Sequence, residues 1–137
     1  EYSDVLIQQI LSSSPIIALV GASPKPHRAS NSVMRFLQSK GHKVFPVNPI
    51  CAGRTINGET VLETINDVPV PIDMVDIFRR SELAGETVDE AISANAKTIW
   101  MQLNVIDKAA AERAEQAGLT VIMDRCPVIE YRRLDMV

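Results

Sequence analysis

Residues 21–28, GASPKPHR, bring together groups that hold an anion: a glycine, a serine hydroxyl and the basic side chains Lys25, His27 and Arg28. Gly21 permits a tight turn and close approach of a ligand to the backbone, and Ser23 adds a hydroxyl. A guanidinium such as that of Arg28 can grip a phosphate through two parallel bonds. The apolar run Ile16 to Val20 precedes this loop, and Val33, Phe36 and Leu37 follow it at helical spacing. A strand, a glycine turn and a helix start suit an anion, because the first helical N–H groups and the positive end of the helix dipole face the turn. The plainer alternative is that Gly21 only ends a strand and the basic side chains are solvated.

Two features weigh against a dinucleotide. The fingerprint G-x-G-x-x-G keeps one of its three glycines here, with Ser23 in place of the second. NAD recognition also uses an acid at the end of the second strand to accept from ribose hydroxyls, whereas this chain has Val47-Asn48-Pro49 there. An uncharged turn would not repel a phosphorylated ribose. Phe78-Arg79-Arg80 offers an aromatic ring and two guanidinium groups, which could stack on a base and neutralise phosphate, or could be core packing and surface ion pairs. Cys126, after Asp124-Arg125, is the one candidate nucleophile, with an inert semi-buried thiol as the plainer reading. His27 and His42 lack metal-ligand spacing, so no metal site is expected, and His42 reads as a surface residue.

The elements that must position these groups alternate. Ser3 caps a short helix through Leu11, and strands are expected at residues 16–20, 43–47, 74–78, 98–103 and 120–123. Helices are expected from the serines near 30 to Lys40-Gly41, from Ser81 along Ala84, Val88, Ala91 and Ile92, and from Asp107 to Ala117 before Gly118. Residues 50–71 are less regular, with a turn at Asn57-Gly58 and a short helix near Leu62 to Asn66; the tail from Asp124 is mixed. Unbroken apolar strands separated by helices imply a parallel sheet covered on both faces, in order 3-2-1-4-5 or 2-1-3-4-5. Ligands of such sheets lie beyond the carboxyl ends of the strands.

Composition bounds the rest. With 137 residues, 46% of them apolar and 23% charged, the chain suits one folded domain, 1–137, rather than a disordered one. A net charge of −3 argues against nucleic-acid or membrane binding. The start of the chain carries no basic-then-apolar signal, and two cysteines cannot build a disulfide framework, so a cytoplasmic protein is expected.

The motifs LVGAS with its basic loop, VFPVNP, VDIFRRSE, KTIWMQLNV and VIMDRCPVIE, from about Ile16 to Glu130, resemble the small stand-alone CoA-binding proteins. These are similar to the amino-terminal domain of the succinyl-CoA synthetase α subunit. The resemblance implies a three-layer α/β domain of Rossmann-like type, with a five-stranded parallel sheet of order 3-2-1-4-5, that binds coenzyme A. It implies that Gly21, Ala22 and Ser23 hold the pyrophosphate beside Lys25 and Arg28, and that Val47, Asn48 and Pro49 line the adenosine. Ile77, Phe78 and Arg79 would flank the nucleotide, with Leu103 and Cys126 toward the pantetheine arm. The chain departs from the family at Asn95 and Asn104, where glycine is usual; asparagine best tolerates the left-handed backbone such positions need. Asn104 adds a side chain beside the expected pantetheine path.

The resulting expectation is a CoA or acyl-CoA binder without evident catalysis, whose ligand is a small molecule and whose protein partner is not identified. An NAD(P)-binding oxidoreductase or redox-sensing domain is the alternative. Two further readings are a thiol module in which Cys126 forms a mixed disulfide and an interaction module whose pocket has decayed.

Overall fold

The computed structural model describes residues 2–137. Its main sheet is parallel and five-stranded: β1 (Ile16–Val20), β2 (Lys43–Val47), β5 (Met74–Ile77), β6 (Thr98–Met101) and β7 (Thr120–Ile122). A two-stranded hairpin, β3 (Thr55–Ile56) and β4 (Glu59–Thr60), turns at Asn57-Gly58. The described residues also form five α-helices: α1 (Asp4–Ser12), α2 (Ala29–Ser39), α3 (Ser81–Ser93), α4 (Lys108–Gln116) and α5 (Pro127–Arg133).

Alternate strand residues point to opposite faces, and each face buries its own core. Ile17, Leu19, Met74, Trp100 and Ile122 pack with α1, α2 and α5. Ala18, Val20, Val75, Ile77, Ile99 and Val121 pack with α3 and α4, which meet the sheet through small residues such as Ala84, Ala91, Ala110 and Ala114. The result is the expected three-layer, Rossmann-like α/β fold. Ser3 caps α1 by accepting from the Leu6 N–H, and Asp107 caps α4 by accepting from that of Ala110.

Strand order differs from the one the family resemblance implies. The sheet runs β2-β1-β5-β6-β7, which is 2-1-3-4-5 among its own strands rather than 3-2-1-4-5. The outer side of β2 is already occupied. Leu62 donates to the Pro46 carbonyl at 2.9 Å and accepts from the Asn48 N–H at 2.9 Å, forming a single parallel bridge. The hairpin follows β2 and docks on α2, where Gln38 donates to the Asn57 carbonyl at 3.0 Å. Residues 74–77 therefore cross to the free side of β1. At the opposite rim, the Met123 N–H donates to the Tyr2 hydroxyl at 2.9 Å.

Two other expectations need correction. The short helix near Leu62 to Asn66 is a 3-10 turn at Ile65–Asp67, closed by reciprocal bonds between Thr64 and Asp67. His42 is no surface residue: it is buried, with Nδ1 2.7 Å from the Ser14 carbonyl and Nε2 2.7 Å from the Tyr131 hydroxyl. A neutral ring satisfies both, donating from Nδ1 and accepting at Nε2, and burial lowers its pKa. The tail left unassigned from the sequence contains α5, whose seven residues start at Pro127 and bury Tyr131 against the His42 ring. Among the described residues, no helix is long and apolar enough to cross a membrane.

Gly21 has φ +89°, and a Cβ there would lie 2.1 Å from the Phe78 carbonyl oxygen. Gly118 has φ +93° with nothing within 4 Å of such a Cβ. Gly118→Ala should therefore lose only the left-handed strain, about 1–2 kcal/mol. Gly21→Ala adds a backbone collision and should lose at least ~3 kcal/mol or fail to fold. Urea unfolding midpoints compare the two; equal losses would contradict the close packing at Gly21.

Candidate functional site

Three clefts open along the carboxyl ends of β1, β2, β5 and β6, with volumes of about 470, 480 and 470 Å³. Each lies in the range of small-molecule sites. Phe78 lines all three, Gly21, Asn48 and Ile50 join the first to the second, and Ala29 joins the first to the third. They form one continuous groove around the Phe78 ring.

The first cleft lies between the 21–30 loop and the Asn48–Arg54 segment. The loop is held by its own backbone. Gly21 and Ala22 both donate to the Val47 carbonyl, at 2.9 and 3.4 Å, and the Phe78 N–H donates to the Val20 carbonyl at 2.8 Å. Asn31 and Asn48 side chains donate to the Ser23 and Ala22 carbonyls, both at 2.9 Å. Gly21, Ala22 and Ser23 all line this cleft, where the glycine packs against Phe78 and the Gly21 and Ala22 amides are taken by Val47.

Other donors are open. Among the described residues the Ser23 N–H has no acceptor, and the Ser23 hydroxyl accepts from the Lys25 N–H at 3.2 Å. Helix α2 starts after Arg28 without a side-chain cap. Asn31 and Ser32 turn back to the Arg28 carbonyl, which leaves the Ala29 and Ser30 amides on the cleft wall without an acceptor. Lys25 and Arg28 stand exposed on that wall with no ion pair, and no acid lines this cleft among the described residues.

The second cleft is bounded by Val47, Asn48 and Pro49 on one side and Arg79, Arg80 and Leu83 on another, with Glu63, Glu86 and Glu90 also on its wall. The Arg79 guanidinium is already engaged: it donates to the Leu83 carbonyl at 3.2 Å and the Thr87 hydroxyl at 3.1 Å, and lies 3.5 Å from Glu86. It braces the start of α3 and is not a free cation. Ile77 is fully buried in the core and lines none of the three clefts.

The third cleft is the most apolar, bounded by Val33, Phe78, Leu103, Val105 and Cys126, with Gln102 and Asn104 as its amides. Leu103 is 47% exposed and Cys126 only 7%. The Trp100 indole donates to the Arg125 carbonyl at 2.9 Å and sets the loop that carries Cys126. Asn95 and Asn104 adopt φ +61° and +68°, the left-handed backbone expected of both. The Asn104 N–H donates to Asp124 at 2.7 Å and its carbonyl accepts from Ser81 at 3.2 Å, fixing the mouth of the cleft.

Sequence reasoning missed Ile50, Cys51, Arg54 and Gln102. Ile50 is 93% exposed between the first two clefts, and Cys51 is buried with Sγ 3.9 Å from the Ala22 carbonyl. The Asn57-Gly58 turn was the one local signal that residues 50–62 double back toward the sheet end.

A family model described as a CoA binding domain matches residues 16–132. The chain belongs to that family. It is 35% identical to the uncharacterized protein YneT of Bacillus subtilis over 88% of this chain and 87% of the other. A solved structure of a hypothetical protein from Pyrococcus horikoshii superposes with a TM-score of 0.92 at 39% identity, covering 97% and 92% of the two chains. An ADP-forming acetate–CoA ligase of Archaeoglobus fulgidus is 25% identical over 81% of this chain, which spans 17% of the ligase.

This CoA-binding domain also buries a carboxyl group behind the third cleft. Asp76 is fully buried, and burial holds its pKa well above the ordinary value. With its amide turned so that Nε2 faces the carboxyl, Gln102 donates to Asp76 at 2.9 and 3.2 Å. The unfolded chain releases this proton near the ordinary carboxylate pKa, while the folded chain keeps it to higher pH. The contribution of Asp76 is therefore intact below about pH 4 and is lost as pH rises toward the raised folded value. Asp76→Asn should match the parent in melting temperature near pH 4 and exceed it increasingly toward pH 8. A difference that does not change with pH would refute an uncharged Asp76.

Proposed function

We propose that the chain binds coenzyme A or an acyl-CoA along this groove and performs no catalysis by itself. The observation that carries the reading is the first cleft: among the described residues, Lys25 and Arg28 have no ion pair, the Ser23, Ala29 and Ser30 amides no acceptor, and the lining no acid. A pyrophosphate suits that set of donors, as charge-assisted bonds to phosphate are the strong ones. The adenosine suits the second cleft, where Pro49 and the exposed Ile50 side chain offer an apolar wall. The pantetheine arm suits the third, which is largely apolar and is lined by Leu103, Val105 and Cys126, with Gln102 and Asn104 as amides and Arg79 and Arg80 on its wall.

The site offers little to a reaction. Among the described residues no group of three or more metal-ligating side chains is clustered, and both histidines lie outside the three clefts. An NAD(P) reading would place a ribose at the end of β2, where Asn48 uses its side chain on the Ala22 carbonyl and the Ile50 N–H. That cleft carries Glu63, Glu86 and Glu90 together with Arg79 and Arg80. In this reading residues 1–137 act as one domain in the cytoplasm, where the two free cysteines stay reduced.

Thermal unfolding with CoA, NAD, NADP and ATP added separately tests the proposal. A ligand at ~100 times its dissociation constant stabilises by about 2.7 kcal/mol, a rise of roughly 6–10 °C for a domain of this size. CoA should give that rise, and Arg28→Ala should reduce it. A shift with NAD and none with CoA would overturn the assignment.

A further inference from the structure

Arg54 is a cation that the proposed pyrophosphate site does not use. It lines the first cleft together with Lys25 and Arg28, and among the described residues its side chain has neither a hydrogen-bonding nor an ion-pair partner. Its backbone is well held. The Arg54 N–H donates to the Cys51 carbonyl at 3.1 Å, its carbonyl accepts from the Val61 N–H at 2.8 Å, and the Gly53 N–H donates to the Val61 carbonyl at 2.9 Å. The hairpin that follows is anchored to α2 through Gln38 and through Asn57, which donates to the Asn31 carbonyl at 3.3 Å. The acid on that hairpin, Glu59, is bound by Lys43 at 2.7 Å. A guanidinium is thus fixed at its root, unpaired at its head, and kept beside the cleft.

The two walls differ in what they can hold. One carries the start of α2 with Lys25 and Arg28; the other carries Asn48, Ile50 and then Arg54. A ligand whose diphosphate meets the first wall and whose ribose meets Asn48 and Ile50 would have its ribose substituents in the cleft that Arg54 also lines. Resting on the CoA reading above, we infer that Arg54 reads a phosphate on the ribose, so that the cleft selects a 3′-phosphorylated adenosine over the same ligand without it. The Arg54 fork binds such a group bidentately, which a lysine head cannot do. Arg54 is therefore a specificity residue, while Lys25 and Arg28 serve the diphosphate common to both ligands.

Isothermal titration of the full chain with CoA and with dephospho-CoA tests the assignment, using the parent, Arg54→Ala and Arg54→Lys. The parent should bind CoA about tenfold to a hundredfold more tightly than dephospho-CoA, the range expected of a charge-assisted contact. Arg54→Ala should bring the two affinities within about twofold by weakening CoA alone, and Arg54→Lys should restore part of the gap. Equal binding of both ligands by the parent, or an equal loss of both in Arg54→Ala, overturns the role of Arg54 while leaving CoA binding in place. Failure of the parent to bind either ligand overturns the CoA reading and this inference with it.

Discussion

The carbonyl of Val47 receives the N–H groups of Gly21 and Ala22, and the Phe78 carbonyl occupies the space that any side chain on residue 21 would need. This crowded backbone junction is where β1, β2 and β5 end together, and the groove is arranged around it. It aims the 21–30 loop outward so that α2 begins over the first cleft, and it holds the Phe78 ring at the meeting point of all three clefts. Because the contact is backbone on backbone, side-chain rearrangement cannot relieve it. The glycine that ends β1 therefore has an internal reason, whatever the ligand.

Charge is distributed unevenly around that junction. The chain is acidic overall, at −3, and much of its basic charge is committed: Lys43 to Glu59, Arg79 to α3, Arg113 to Asp89 and Arg133 to Glu130 and Asp4. Lys25, Arg28 and Arg54 are left around one cleft that no acid lines among the described residues. A locally positive cleft on a negative molecule concentrates a small polyanion while the rest of the surface disfavours larger ones. Net charge alone conceals this, since it averages over the very contrast that matters.

Much of the framework was legible because periodicity and caps are local signals. The unbroken apolar runs marked the buried strands, and Ser3, Asp107, Gly41 and Gly118 marked helix ends. Strand order was less accessible. It depends on which rim of β1 is free, and the outer side of β2 is closed by one bridge from Leu62, a contact with no sequence periodicity. Short elements hid for a similar reason: α5 has seven residues, and each hairpin strand has two, too few for a pattern to repeat. Within the site, Lys25, Arg28, Asn48, Phe78 and Cys126 could be named from their places after strands. Arg54 could not, because its place depends on a loop that folds back over the sheet end. His42 erred in the other direction, since burial on a given face depends on partners far away in the chain.

The Leu62 bridge and the Tyr2 hydroxyl also have a bearing on how these molecules meet one another. A parallel sheet ends in two rims whose unmade hydrogen bonds can recruit a strand from a neighbouring molecule. On one rim Leu62 bridges Val47 beside β2 with the hairpin packed alongside, and on the other Tyr2 takes the N–H that follows β7. Both borders are interrupted by the chain's own residues. Strand-by-strand polymerisation is thereby deprived of a long template at either side, and the groove can stay open at the sheet's carboxyl end without the borders becoming sticky.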